Sequence, residues 1–168
     1  MTVKEPFTRF ALRFPLTLGA GAVMLLLHDA LAGGILGALL PRNASAWELS
    51  KLAFFPPLLC LATTSRQSGG VRRVLRRAAP PVLATSLLMA AAGGVAASLT
   101  QNTAALMLLW IVLTALCLAL AEHWEGGTVW TVLLAALGIA YVLFSFRPPA
   151  LPLFLEPGDA AAMAPIAW

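Results

Sequence analysis

Ala104-Ala-Leu-Met-Leu-Leu-Trp-Ile-Val-Leu-Thr-Ala-Leu-Cys-Leu-Ala-Leu-Ala121 contains no charged residue, and this stretch decides the fold of the chain. A helix that crosses the hydrocarbon core of a bilayer needs about 20 mainly apolar residues in succession. Within that core every backbone amide and carbonyl must be paired inside the protein, and a helix achieves this within one segment. The stretch therefore predicts a transmembrane helix.

The composition of the whole chain also indicates a protein that lies in a lipid bilayer. Of its 168 residues, 60% are hydrophobic and only 11% are charged, and the mean hydropathy is +0.88. Soluble domains carry roughly 25% charged residues, so this chain has too few to cover a surface that faces water. The length allows one domain, and no polar linker divides it. We predict a single all-α transmembrane domain over residues 1–168.

Further apolar runs on both sides of this stretch predict a bundle of about five transmembrane helices. The basic N-terminus and the first run are similar to a signal peptide, but because apolar sequence resumes and further spans follow, we expect an uncleaved helix. A short apolar piece at 35–40 cannot cross and is expected at the interface or against the bundle. The predicted spans are about 14–31, 46–64, 80–99, 104–121 and 128–146, and a proline-rich tail covers 147–168.

Basic residues are concentrated near the N-terminus and in the loop after the second span, and they predict the orientation of the bundle. Cytoplasmic loops of membrane proteins carry an excess of Lys and Arg. With five spans, eight of the 11 Lys and Arg residues fall on the side of the N-terminus and three on the other side. We therefore predict a cytoplasmic N-terminus and a C-terminus outside. The basic loop is expected to contact anionic lipid headgroups rather than nucleic acid, and it contains Arg66, Arg72, Arg73, Arg76 and Arg77.

The second span has its own start signal and an internal defect. Ser45-Ala-Trp-Glu48 fits the S-x-x-E capping box, in which the Ser45 hydroxyl accepts from the Glu48 amide and the Glu48 carboxylate accepts from the Ser45 amide. Pro56-Pro57 in mid-span predicts a kink and leaves carbonyls about one turn earlier without their helical donors. Neighbouring helices or water must then satisfy those carbonyls.

Polar residues on the predicted outer side form a candidate site. His28 and Asp29 lie in the first span, where ionisable groups are costly and usually face a bundle interior or a wet cavity. Structural alternatives stay open: Glu48 as the cap, Lys51 paired with Glu48 or reaching the interface, and Trp47 in an interfacial aromatic belt. The complete candidate set is His28, Asp29, Asn43, Trp47, Glu48, Lys51 and Glu156.

The sequence offers little support for metal or redox chemistry. Cys60 and Cys117 lie in apolar runs without a CxxC neighbour or a His at ligand spacing, so no metal site or disulfide is predicted. The predicted topology places His28 and His123 at opposite membrane faces, so a haem held by both within one subunit is excluded. The sequence contains no nucleophile motif, phosphate-binding glycine loop or nucleic-acid module. The sequence therefore leaves any cofactor and any catalytic residue unknown.

Two segments of the chain resemble motifs of a known family. Residues 43–56 are similar to N-x-S-x-W-E-x-x-K-L-x-F-F-P, and residues 148–157 to P-P-x-x-P-L-F-x-[DE]-P. Together with His28, they resemble a family of small prokaryotic multi-pass membrane proteins known as a domain of unknown function. Leu49 stands where members often carry His, and residues 158–168 lack the family's Gly-x-Tyr-Gly element. The resemblance implies the inner membrane of a prokaryote and about this number of helices, without an activity.

Both motifs fall on the predicted outer face, so the tail is expected to be ordered and to pack near residues 43–51.

A second contact surface is suggested by Ala90, Gly94 and Ser98, which form a small-residue stripe that lets another backbone approach closely. Three functions stay open at this point. The first is an accessory membrane protein that binds a lipid or a partner, including a second copy. The second is a membrane-embedded enzyme, or a small-molecule or metal binder, with an outer site around His28, Asp29, Glu48 and Lys51, and the third is a small transporter subunit.

Overall fold

The computed structural model describes residues 4–31, 35–64, 70–100, 102–124, 126–149 and 151–154. These residues form α-helices followed by one short 3-10 turn, and none of them lies in a β-strand, which confirms the all-α prediction. The helices are α1 (Lys4–Leu31), α2 (Ile35–Leu39), α3 (Ala46–Thr64), α4 (Val71–Thr100), α5 (Thr103–Ala121) and α6 (Thr128–Phe146), and the 3-10 turn is Pro152–Phe154.

Two helices begin well before the positions predicted from the apolar runs. α1 starts at residue 4 rather than 14, and α4 starts at 71 rather than 80. Hydropathy marks only the part of a helix that lies in hydrocarbon, whereas backbone hydrogen bonding continues into the polar turns beyond it. Pro80 was expected at the start of a helix, and it lies inside α4 instead.

The outer surface of the bundle is apolar. Each of the five long helices exposes at least one large aliphatic side chain, as Leu26 on α1 (80% exposed) and Leu108 on α5 (64%) illustrate. In water such a surface would mark an interaction site or an aggregation hazard, whereas in a bilayer it is solvated by lipid. Four of the described helices, α1, α4, α5 and α6, are long and apolar enough to cross a membrane.

α3 lies inside the bundle. It contacts α1, α4 and α5, and most of its side chains are buried. It has the same 19-residue length as α5 and α6, but it is less hydrophobic than either, because it contains Glu48, Lys51 and two prolines. That α3 is itself a fifth membrane span stays a prediction, supported by its place between spanning helices.

The carbonyl that Pro56 leaves without a helical donor is satisfied by a neighbouring helix. Because proline has no amide hydrogen, the Leu52 carbonyl one turn earlier loses its usual partner. The indole Nε1 of Trp110 on α5 donates a hydrogen bond to that oxygen at 3.0 Å. α3 therefore continues through both prolines. A neighbouring helix satisfies the carbonyl, as the sequence predicts for such a defect inside a membrane.

Pro80 in α4 creates the same defect, and the loop before α6 repairs it. The Arg76 carbonyl accepts a hydrogen bond from the Gly126 amide at 3.0 Å. A Cβ atom at Gly126 would lie 2.6 Å from Cγ of Pro80 and 2.8 Å from the Arg76 oxygen. Glycine is thus required here because the loop approaches the helix backbone so closely.

The small-residue stripe on α4 packs within this chain. Ala90 is buried, and a Cβ at Gly94 would meet Leu153 of the 3-10 turn at 3.4 Å. The adjacent Gly93 faces Ala46 at the start of α3 in the same way. The side chain of Ser98 lies outside the described part. The described small residues on this part of α4 therefore pack against the chain's own tail and against α3.

Candidate functional site

Two members of the predicted site, Glu48 and Lys51, form a buried ion pair in the first turns of α3. The Lys51 Nζ lies 2.6 Å from Oε2 of Glu48, and the two residues are 0% and 6% exposed, respectively. Their spacing of three residues places both on one face of the helix. A buried charge is tolerated only when it is paired and its remaining hydrogen bonds are made.

The Lys51 ammonium meets that condition through two other helices. It donates to Oγ of Ser145 on α6 at 2.5 Å, and it lies 3.2 Å and 3.3 Å from the carbonyl oxygens of Ala38 and Leu40. These carbonyls belong to the end of α2, where the last carbonyls of a helix lack intrahelical donors and carry partial negative charge. Three ammonium protons are shared among four oxygens, so the short segment at 35–40 is held against the bundle by Lys51.

Ser45 caps α3 through only half of the predicted capping box. The Glu48 amide donates to Oγ of Ser45 at 3.3 Å, as predicted. Its carboxylate does not return to the Ser45 amide, which donates instead to Oδ1 of Asn43 at 3.0 Å. Oε2 of Glu48 accepts from the Arg42 amide at 2.8 Å and from Lys51. The predicted return bond is wrong because the buried ammonium draws the carboxylate into the bundle.

Arg42 completes this arrangement at the end of α6. Its Nη1 donates to the Ser145 carbonyl at 2.6 Å, and its guanidinium carbon lies 5.6 Å from the centre of the Phe146 ring. The Ser145 hydroxyl lies within 2.9 Å of the Ala38 carbonyl. We call Arg42, Glu48, Lys51 and Ser145 the tail-end network. Of its members, Arg42 and Ser145 were missed as site residues. The signal for Arg42 was its charge in the loop before α3, and that for Ser145 was a hydroxyl near the end of an apolar run.

Trp47 occupies an aromatic cluster beside this network. Its ring centroid lies 4.8 Å from that of Tyr141, 5.6 Å from that of Phe144 and 5.0 Å from that of Phe154. With 8% exposure, it is a core residue rather than part of an interfacial belt. The Tyr141 hydroxyl, also missed from the sequence, lies 2.7 Å from Oγ of Ser50. These two hydroxyls thus link α3 and α6, whereas the buried indole Nε1 of Trp47 has no hydrogen-bond partner among the described residues.

The tail folds back on this end of the bundle. Phe154 is buried against Trp47 and Phe144, and Leu153 approaches Gly94 of α4. The predicted packing of the tail near residues 43–51 is confirmed for residues 151–154. Glu156 and the rest of the tail lie outside the described residues, as do the side chains of His28 and Asp29.

The predicted outer site is therefore assembled in part, and the assembled part is closed. Asn43, Trp47, Glu48 and Lys51 lie together, but the nearest cavity, of about 320 Å³, is lined by Arg42 and Asn43 and not by Glu48 or Lys51. An ammonium that is fully coordinated inside the protein does not meet a substrate in this arrangement. Among the described residues no three His, Cys, Asp or Glu side chains are placed to hold a metal ion.

The opposite end of the bundle carries a second polar cluster. Arg13 on α1 is buried; its Nη1 pairs with Oε1 of Glu122 at the end of α5, and its Nε donates to Oγ1 of Thr64 at 3.0 Å. A small cavity of about 50 Å³ opens beside this pair. We call it the arginine cavity, and its polar lining consists of Arg9, Arg13, Arg73, Arg77 and Glu122.

A third feature is a lateral groove of about 680 Å³ between α1, α2, α3 and α4. Every described side chain that lines it is apolar, including Val23 on α1, Leu59 on α3 and Leu75 on α4. Two of its walls are helices long and apolar enough to cross a membrane. We call this feature the apolar groove.

Fold and surface together define an all-α protein with four helices that fit a membrane, and its two buried ion pairs among the described residues lie at the two ends of the bundle. Comparison with known proteins adds no narrower class, because no protein-family model, curated protein or solved structure matches the chain.

Proposed function

We propose that this protein is an accessory membrane protein that binds phospholipid, with an acyl chain lying in the apolar groove. The groove carries the proposal: a cleft of about 680 Å³, apolar in all of its described lining side chains, lies beside two helices that are long and apolar enough to cross a membrane. In a bilayer the molecules available to fill such a cleft are lipid chains. The α1 residues that line it, from Ala20 to Leu31, rise about 16 Å, close to the roughly 15 Å of one leaflet's hydrocarbon.

The tail-end network supports the accessory role over catalysis at the outer site. Its ammonium and carboxylate satisfy each other and the ends of α2 and α6. Removing either group would break a structural contact, which is a sufficient physical reason for both to be there. The described part of the small-residue stripe on α4 packs within the chain, so lipid rather than a partner helix is the favoured ligand.

The proposed setting is the inner membrane of a prokaryote, with the N-terminus in the cytoplasm and the C-terminus outside. The arginines near the start of α1 and α4 support this orientation, because basic residues are retained on the cytoplasmic side. The resemblance of residues 43–56 and 148–157 to an uncharacterised prokaryotic membrane-protein family stands as a proposal of the same kind.

Filling the groove tests the proposal. In Ala62→Trp the indole would occupy the space that an acyl chain needs, since Ala62 lines the groove. Ala136→Trp is the matched control, because Ala136 is exposed on α6 and does not line the groove. After purification in a mild detergent, native mass spectrometry counts the retained phospholipids.

We expect the wild type and Ala136→Trp to retain phospholipid and Ala62→Trp to lose most of it. Equal retention in all three proteins would show that lipid does not lie in the groove. If the wild type carries no phospholipid but co-purifies with a protein partner, the partner rather than lipid would be the ligand, and the proposal would be overturned.

A further inference from the structure

We infer that a phospholipid in the apolar groove binds with its phosphate at the end of the groove nearest the start of α4, where Arg72 receives it. This inference rests on the proposed function and gives the bound lipid a direction and a headgroup. An acyl chain can lie in an apolar cleft, but the polar headgroup must leave the hydrocarbon at one end of the bundle. The two ends of the groove differ in the cations that they offer to a phosphate.

At one end the groove is bounded by Leu39 and Leu40 of α2. The Lys51 ammonium, which contacts the end of α2, already has four oxygens around its three protons. Arg42, in the loop that follows α2, donates to the Ser145 carbonyl. The cations that contact α2 or follow it are therefore engaged within the protein.

At the other end the groove is lined by Ala62, near the end of α3, and by Leu75 in the second turn of α4. Arg72 precedes Leu75 by three residues, which places it about 4.5 Å closer to the end of the bundle along the helix axis. Its side chain is exposed and forms no hydrogen bond or ion pair with a described residue. A long arginine side chain can follow apolar surface while its guanidinium reaches the headgroups.

Arg72 is also the arginine of α4 whose direction is closest to that of the groove. An α-helix turns by about 100° per residue, so Arg72 lies about 60° from Leu75 around the axis. Arg76 lies about 100° from Leu75 and donates to a hydroxyl at the start of α6. Arg73 and Arg77 lie about 160° from Leu75 and line the arginine cavity. The basic first turns of α4 therefore place one arginine, Arg72, beside the groove.

The chemistry of this end selects an anionic phospholipid. The planar guanidinium fork of Arg72 can donate two parallel hydrogen bonds to the oxygens of a phosphate. In the proposed orientation this end of the bundle faces the cytoplasm, and the cytoplasmic leaflet carries anionic lipids that attract basic residues. A soluble phosphate would use the arginine alone, whereas a lipid uses the arginine and the apolar groove beside it, so we commit to the lipid.

The test compares phosphatidylglycerol with a diacylglycerol of the same acyl chains, because these lipids differ only in the phosphate-bearing headgroup. The full chain in a neutral detergent is titrated with each lipid, and native mass spectrometry gives the two dissociation constants. Arg72→Gln removes the proposed phosphate ligand. Arg147→Gln is the matched control, since the Arg147 side chain is likewise exposed without a described partner but lies at the end of α6, of which no described residue lines the groove.

We expect the wild type and Arg147→Gln to bind phosphatidylglycerol about fivefold or more tightly than diacylglycerol, as one arginine near a lipid headgroup provides. Arg72→Gln should lose this preference and keep its affinity for diacylglycerol, because the groove itself is unchanged. Circular dichroism checks the helix content, which we expect to be kept because both arginines are exposed.

Equal affinity of the wild type for the two lipids, a preference that Arg72→Gln keeps, or an equal loss in Arg147→Gln would overturn this inference and leave the groove proposal standing. Displacement of phosphatidylglycerol by inorganic phosphate at constant ionic strength would assign the site to a soluble phosphate and overturn it in the same way. If Ala62→Trp binds both lipids as tightly as the wild type does, the proposed function fails, and this inference fails with it.

Discussion

Lys51→Met removes the ammonium from the tail-end network while keeping most of the volume of the side chain. Glu48 then remains buried with a hydrogen bond from the Arg42 amide. The Leu40 carbonyl loses its hydrogen bond from Lys51, and the Ala38 carbonyl keeps the one from the Ser145 hydroxyl. Breaking a buried ion pair by removing one partner costs about 3–5 kcal/mol. Because all four oxygens around Lys51 lose a donor, we expect the upper part of that range for the free energy of unfolding.

The assay is equilibrium unfolding of the purified chain in mixed micelles, followed by the fluorescence of the tryptophans, one of which lies in the cluster beside the network. The double variant Glu48→Gln/Lys51→Met is the control, since it removes both charges together. Replacing both members of a buried pair is often close to neutral, so the double variant should be more stable than Lys51→Met. A single variant that loses less than about 1 kcal/mol would refute the view that Lys51 holds α2, α3 and α6 together.

Three further substitutions test individual contacts. Trp110→Phe leaves the Leu52 carbonyl without its donor and should lower the free energy of unfolding by about 1–3 kcal/mol; an unchanged stability would mean that water replaces the indole. Gly126→Ala places a Cβ against Pro80 and should cost about 1–3 kcal/mol by thermal unfolding, whereas Gly127→Ala, with nothing within 4 Å, is its control. Phe154→Ala should cost about 3 kcal/mol and speed proteolysis of the tail; resistance equal to that of the wild type would show that the tail is held elsewhere.

Much of the helical fold could be predicted from the sequence, because the bilayer imposes a simple rule on length and polarity. The bounds of α3 and α6 agree with the predicted spans, and α5 begins one residue earlier than expected. The early starts of α1 and α4 could not be predicted in this way, since their first turns are polar and carry no apolar signal.

The chemistry of the site was harder to predict, because it depends on which helices meet. Local spacing revealed the Glu48–Lys51 pair, but Ser145 lies 94 residues from Lys51 in the sequence. Likewise, Arg13 and Glu122 are 109 residues apart and both belong to segments predicted on the same side. The donor to the Leu52 carbonyl was required by the proline, yet nothing local identified Trp110 as that donor.

The most direct test of the closed tail-end network is the reactivity of cysteines introduced at the end of α6. Ser145→Cys lies inside the network, whereas Arg147→Cys, two residues further on, is exposed at the same end. The native Cys60 and Cys117 are buried, and the wild type gives their background labelling. In intact cells treated with a membrane-impermeant maleimide, we expect Arg147→Cys to be labelled and Ser145→Cys to react only after denaturation. Equal labelling of the two cysteines in the native protein would contradict the closed network.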